Sequence, residues 1–410
     1  MNRVVVTGMG AITPLGLSAA ETWEGMKKGV NGIDRITRFD LTDFKATLAA
    51  EVKGFDPANF DMPKPVSRKM DLFTQYAVAA AEQAIADSGI DGKVDPERYG
   101  VYMGSGIGGI STLMCEHSKL LEGGVKKISP FFVPMMIINM ASGTIAMRHH
   151  CEGPSLPVVT ACATSTNAIG EAYRAIKHGY ADAIVAGGSE AAVNPLSVGG
   201  FISCMALSFS EDKDRASLPF DKERGGFVMG EGSGVLVLEE YNHAVARGAK
   251  IYAEVVGYGN TNDAYHMTAP NPEAKSSAKA IELAAKEAGI TDCSEVYVNA
   301  HGTGTALNDK TETTALKKVF GEGAYKLKVS STKSRTGHML GAAGGVEAIA
   351  SVMALHDGII PPTINYKVKD EDCDLDITPN KAVKIQKTFA LSSSLGFGGH
   401  NGCLAFKVIK

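Results

Sequence analysis

Short apolar runs alternate with longer amphipathic stretches along the whole chain. RVVVTG, YGVYMGSG, PVVTA, ADAIVAGG, GVLVLEE, AEVVGYG, VYVNAH, KVSST, FALSSS and CLAFKVI are rich in β-branched or aromatic residues and bounded by glycine or polar turns, which predicts strands. Between them, stretches such as TQYAVAAAEQAIADSG and SSAKAIELAAKEAG repeat apolar positions every three or four residues, which predicts helices. This alternation predicts an α/β protein. Residues 156–179, LPVVTACATSTNAIGEAYRAIKHG, hold one such junction: Val158 and Val159 predict a buried strand. Ile169, Ala172, Tyr173 and Ile176 then share one helical face, and Gly179 supplies a stop.

The pattern contains a faint internal echo. VVTACATSTNAIGEAYRAIKHG and KVSSTKSRTGHMLGAAGGVEAIASVMALHDG both run from a strand through a polar or glycine-rich loop into a helix that starts on small residues. Each ends near a histidine and a glycine. RVVVTGMG and IYAEVVGYG likewise open two stretches near residues 1 and 251. The expected division is 1–250 and 251–410, two similar halves, although one sequence does not establish duplication.

Composition narrows the class. A chain of 410 residues accommodates two or three domains or one large two-part fold, with 44% hydrophobic and 21% charged residues as in ordinary globular proteins. A net charge of -4 gives no general attraction to nucleic acid or anionic membranes. The seven cysteines (115, 151, 162, 204, 293, 373 and 403) are odd in number and form no CxxC pair, so neither a disulfide framework nor a zinc site is indicated. That pattern fits a reducing compartment, here the cytoplasm. Thr7, Gly8, Gly10, Thr13 and Pro14 interrupt what a signal peptide would need, and no apolar run approaches the ~18 residues of a membrane span.

GSGIGG (104–109) satisfies G-x-G-x-x-G after a strand, but LEGGVKKISP comes next where a strand ending in an acid is required. A structural turn is favoured, with a nicotinamide-dependent dehydrogenase as the alternative from another class. Cys162 stands at a strand-to-helix junction, where free N–H groups and the helix dipole favour a thiolate and could hold an oxyanion. Ala161, Ala163, Thr164 and Ser165 keep that elbow open. His301 ends VYVNA and opens HGTGT, and His338 follows KSRTG, so each lies just past a strand beside glycines. Lys333 shares the second loop. In LSSSLGFGGHN, Phe397 sits between glycines, either as the buried ring of a turn or as the tip of a mobile gate.

TACATS around Cys162, NAHGTGT around His301, KSRTGHMLGAAGG around Lys333 and His338, and GFGGHN are together highly specific. They resemble the β-ketoacyl-[acyl-carrier-protein] synthases, the condensing enzymes of fatty acid synthesis, with the type II synthases of bacteria nearest. PFDKERGGFVMGEGSG and MDLFTQYA support a resemblance that covers essentially the whole chain. It implies the thiolase fold, five αβαβα layers built from two similar halves, usually as a homodimer. It also implies a catalytic Cys162, His301 and His338, with Lys333 and Glu347 as a supporting charge network and the backbone N–H groups of Cys162 and Phe397 as an oxyanion hole. Substrate contacts are implied for Thr303 and Thr305 (pantetheine arm), for Ile107 and Phe201 (acyl-chain pocket) and for Phe397 (gate). The reaction needs no cofactor or metal of its own, since its substrates ride on the phosphopantetheine of acyl carrier protein.

Carrier proteins are acidic, and Arg68–Lys69 and Lys126–Lys127 are the basic pairs that could meet one. Two positions depart from the family: Met205 stands where a basic residue is frequent, and Ser393 where asparagine is usual. Within the superfamily, a thiolase would carry a second reactive cysteine in the C-terminal glycine motif, and a type III synthase would have asparagine in place of His338. A polyketide ketosynthase stays open.

Overall fold

The computed structural model describes residues 1–409. Ten strands form its main sheet: β1 (Val4–Ile12), β2 (Tyr99–Gly104), β3 (Ser155–Leu156), β4 (Ala183–Glu190), β5 (Gly232–Glu240), β6 (Ala253–Asn262), β7 (Val296–Asn299), β8 (Lys328–Ser330), β9 (Phe389–Gly396) and β10 (His400–Lys407). Five helices form the layers around it: α1 (Leu72–Ser88), α2 (Thr164–Lys177), α3 (Lys275–Glu287), α4 (Ala306–Phe320) and α5 (Ala343–Asp357).

The strand order across the sheet is β8-β7-β9-β10-β6-β1-β5-β4-β2-β3. Counted outward from the middle, residues 4–240 run first, fifth, fourth, second, third, and residues 253–407 repeat that order. The sense of pairing repeats as well. In each half the first strand is antiparallel to the fifth, the fifth to the fourth, and the remaining pairs are parallel. The halves join through three antiparallel residue pairs, Val4 with Val255, Val5 with Glu254 and Val6 with Ala253.

Helices α2 and α5 pack between the two half-sheets, α1 covers the outer face of the first, and α3 with α4 covers the outer face of the second. The result is the five-layered thiolase-like arrangement. It also explains why strands such as GVLVLEE read as unbroken apolar runs. Leu236 and Leu238 of β5 face the α2–α5 layer while Val235 and Val237 face the α1 side, so both faces are buried. The expected face of α2 is buried throughout, with Ile169, Ala172, Tyr173 and Ile176 no more than 3% exposed.

Glycines in β1 and β6 carry the same packing device. A methyl group on Gly8 or Gly10 would come within 2.1 or 1.9 Å of the Ala84 or Ala80 carbonyl of α1. On Gly257 or Gly259 it would meet the Ala284 or Ala280 carbonyl of α3 at 2.3 or 1.9 Å. Glycine is required at these sites because the strand backbone lies directly on a helix.

One expected strand is misplaced. The extended segment before Cys162 pairs only at Ser155–Leu156, and Val159 is 49% exposed. Val158 and Val159 therefore form an approach to the elbow beyond the sheet edge, and the apolar pair is not a buried strand. Among the described residues, no helix is long and apolar enough to cross a membrane.

Candidate active site

Cys162 lies in a single 3₁₀ turn, Ala161–Ala163, that leads directly into α2. Ala161 takes φ +50°, a left-handed conformation costly for a residue with a side chain, and this kink turns the chain sharply into the helix. The turn is held from across the molecule, where Gly396 at the end of β9 lies against the Thr160 carbonyl and the Cys162 amide. A methyl group there would sit 2.6 Å from the Thr160 oxygen and 3.2 Å from the Cys162 nitrogen. The backbone N–H groups of Phe397, the next residue, and of Cys162 itself favour the ionised form of the Cys162 sulfur.

Cys162, His301 and His338 line one cavity of about 360 Å³, together with Phe201, Thr303, Thr305 and Phe397. His301 follows β7, and its backbone N–H donates 2.7 Å to the Glu312 carboxylate, which also accepts from the Gly302 amide at 2.8 Å. The two imidazoles stand edge to face with ring centroids 5.3 Å apart, and Phe227 packs edge-on against His338 at 5.1 Å. Phe201 stacks near both Phe227 (5.4 Å) and Phe397 (6.3 Å), so aromatic rings line the approach to the sulfur. The Thr303 and Thr305 hydroxyls are 2.9 Å apart on the same wall.

Lys333 and Glu347 lie behind the histidines, paired and fully buried. Neither side chain hydrogen-bonds a histidine. The influence of Lys333 is electrostatic, because its cation disfavours a second positive charge on either ring. Burial first, and the Lys333 charge second, hold His301 and His338 well below the ordinary imidazole range, so both rings are neutral. Each Nδ1 is buried without a hydrogen-bond partner among the described residues. With no acceptor there, the ring proton belongs on Nε2, where a ligand oxygen can receive it.

Burial pushes the Cys162 thiol up to about 12, against the opposing pull of Lys333 and the Phe397 amide. Burial thus opposes the thiolate expected at the helix start and favours the thiol at neutral pH.

Ile107 does not reach this cavity. It packs at the edge of an apolar cluster that includes Cys162, Leu340 and Phe227. The surrounding GSGIGG loop holds no dinucleotide cradle, because its Gly106 and Ile107 amides already donate to Glu190, at 2.8 and 3.1 Å. An internal carboxylate stands where a phosphate would sit. Arg68, Lys69, Lys126 and Lys127 are exposed and outside the cavity, and Lys69 sits 5.1 Å over the Phe131 ring. Met205 is 83% exposed at the cavity rim, beside Cys204. Ser393 donates to Glu312, which gives the position a local role.

Sequence reasoning missed Glu312, Asp309, Phe227 and Glu190. The first two form an i, i+3 acidic pair near the start of α4, directly after HGTGT. Asp309 accepts from the Thr303 amide at 3.0 Å and the Phe220 amide at 2.7 Å. Acids in the first turns of a helix that follows a glycine loop were the available signal.

Residues 1–244 match the Beta-ketoacyl synthase, N-terminal domain, and residues 252–367 the Beta-ketoacyl synthase, C-terminal domain. The chain belongs to this family of thiolase-like ketosynthases. Within it, the chain is 49% identical over 406 residues to the 3-oxoacyl-[acyl-carrier-protein] synthase 2 of Staphylococcus aureus (strain COL), covering 99% of this chain and 98% of the relative. It is 50% identical over 407 residues to the protein of the same name from Synechocystis sp., at the same coverages. Among solved structures, a beta-ketoacyl synthase from Burkholderia phymatum superimposes over the full length of both chains with a TM-score of 0.92 at 35% identity. A ketosynthase in complex with its type II PKS acyl-carrier protein does so with 0.92 at 33%.

Proposed function

We propose that this chain is an acyltransferase that condenses malonyl-[acyl-carrier-protein] with an acyl chain held on Cys162, lengthening fatty acids by two carbons. The observation that carries the reading is the shared cavity, which brings one thiol, two neutral imidazoles and Phe397 together. The Cys162 sulfur attacks the carrier thioester carbonyl, the bond from that carbonyl to the carrier sulfur breaks, the thiol proton leaves with the carrier thiol, and an acyl-enzyme forms. The amides of Cys162 and Phe397 receive the oxyanion of that step. Malonyl-carrier then binds, with its pantetheine arm along Thr303 and Thr305. Its carboxylate leaves as carbon dioxide, and the bonding pair becomes an enolate whose oxygen accepts the Nε2 protons of His301 and His338. The enolate carbon attacks the acyl carbonyl, the carbon–sulfur bond breaks, and Cys162 is released as the 3-oxoacyl product forms.

On this reading Lys333, paired with Glu347, keeps both histidines uncharged, so that each donates its Nε2 proton without bearing a positive charge. Phe201 and Phe397 shape the acyl entrance, and Ile107 backs it from the adjoining cluster. Residues 1–250 supply the nucleophile and 251–410 the enolate donors. No step requires a metal or redox cofactor, and the protein works in the cytoplasm. The acidic carrier is met by Arg68, Lys69, Lys126 and Lys127, whose exposure supports that role. A second copy of the chain is the further partner, forming a homodimer. Strand β3 is one of the two edge strands of the sheet, and its Leu156 and the nearby Val159 are 48% and 49% exposed.

Cys162→Ala tests the proposal. Condensation should vanish while decarboxylation of malonyl-carrier persists. Full condensation by that variant overturns the reading.

A further inference from the structure

Glu190, the last residue of β4, is fully buried and takes no part in the condensation steps. Its carboxylate accepts four hydrogen bonds. One oxygen takes the Ser105 hydroxyl at 2.7 Å and the Ile107 amide at 3.1 Å. The other takes the Gly106 amide at 2.8 Å and, from the opposite half of the chain, the Gly341 amide at 2.9 Å. Every contact atom is a donor. The Ser105 hydroxyl, which gives its proton to Glu190, itself accepts from the Gly108 amide at 3.0 Å. Nothing around the carboxyl can receive a proton from it. Burial raises its affinity for a proton, yet the four donors fit only the ionised form.

The two backbones joined here are those on which the site hangs. Residues 105–108 carry Ile107, and Gly341 lies three residues past His338. Their contact leaves no space for a side chain, because a methyl group on Gly341 would lie 2.3 Å from the Gly106 nitrogen and 2.8 Å from the carboxylate. The Gly341 carbonyl in turn accepts from Ser165, in the first turn of the helix that follows Cys162. One buried anion thus ties the Ile107 loop and the histidine loop together beside the nucleophile's own helix. Its charge also acts on Cys162, opposing loss of the thiol proton.

We infer that Glu190 is a positioning residue that clamps the Ile107 loop to the Gly341 turn and thereby sets which acyl chains reach Cys162. The inference rests on the condensing reading for its substrate, but the clamp and its charge are testable without it.

The experiment compares wild type, Glu190→Gln and Ser105→Ala, each checked for a cooperative melt. Glu190→Gln keeps the shape but turns an NH₂ toward donors and removes the charge, whereas Ser105→Ala removes one donor and leaves the charge. The first readout is the ratio of Cys162 acylation rates by long and short acyl-carrier substrates, tracked by intact mass. Both variants should change it by about threefold or more, the equivalent of half a pKa unit in free energy. The second is iodoacetamide labelling of the Cys162 peptide at fixed alkaline pH, which needs no substrate. It should be at least about threefold faster in Glu190→Gln and unchanged in Ser105→Ala.

An unchanged acylation ratio in the folded variants, or unaccelerated labelling in Glu190→Gln, overturns the inference. If Glu190→Gln does not fold, the ratio in Ser105→Ala decides. If wild type takes no acyl group at all, the condensing reading fails, and the labelling comparison still judges the clamp.

Discussion

Lys333 and Glu347 meet as an ion pair whose side chains are 1% and 2% exposed, immediately behind two imidazoles that carry no charge. Burial raises the carboxyl's affinity for a proton while the ammonium lowers it, and one carboxylate oxygen has no partner among the described residues. Glu347→Leu alone should cost about 3–5 kcal/mol, because it strands a buried cation. Lys333→Met with Glu347→Leu should recover most of that loss, since a desolvated pair is replaced by apolar groups of similar size. Urea unfolding of the two singles and the double closes the cycle. A double variant as unstable as the sum of the singles would contradict the account.

The acidity of Cys162 gives a pH prediction with a definite sign. A thiol held near 12 reacts through its small thiolate fraction, which grows about tenfold per pH unit below that value. Alkylation of the Cys162 peptide, measured by mass spectrometry, should therefore keep climbing between pH 7 and 10. A plateau below pH 8 would show the thiolate expected from the helix start alone. Cys115 and Cys204 are exposed, so reagents should label them before Cys162 at neutral pH.

On the proposed reading, His338 donates to the enolate and takes no part in the first half-reaction. His338→Ala should lose decarboxylation by about two orders of magnitude, the typical value of one lost oxyanion donor, while Cys162 still takes up an acyl group. Carbon dioxide release and intact mass separate the two. Undiminished decarboxylation would refute the assignment.

Arg335, two residues beyond Lys333, is a fully buried guanidinium that reaches one acceptor, the Met26 carbonyl at 2.5 Å. Its Nε and Nη2 have no partner among the described residues, and burial lowers its pKa to about 10. Arg335→Met keeps the bulk and removes an uncompensated charge, so the melting temperature should hold or rise by a few degrees. A fall of more than about 5 °C in calorimetry would show that the cation is needed.

The parts of this molecule legible in its chain are those whose physics is local. Strand and helix periods, the elbow at Cys162 and the glycine-flanked histidines all lie within short windows, and the structure brings them to one cavity. The approach through Val158 and Val159 reads wrongly because its apolar residues suit a buried strand equally well. Only the end of sheet pairing at Leu156 distinguishes the two. The acidity of Cys162 is hidden because its burial and the charges and amides that act on it, such as Lys333 and Phe397, come from segments far along the chain. Glu190 and Glu312 escape for the same reason, since an isolated glutamate shows nothing of the amides that will converge on it. The internal echo is faint in residue identities and plain in strand order, which both halves repeat.

That strand order also has a temporal meaning. In each half the fifth strand closes the gap between the first and the fourth, so neither half-sheet is continuous until its latest segment has been made. A chain emerging from the ribosome presents Cys162 long before His301, His338 and Phe397 exist. If His301 and His338 are the enolate donors, as proposed, the growing polypeptide lacks the malonyl chemistry until they have been made, and the site lacks Phe397 until the segment just before β10 exists.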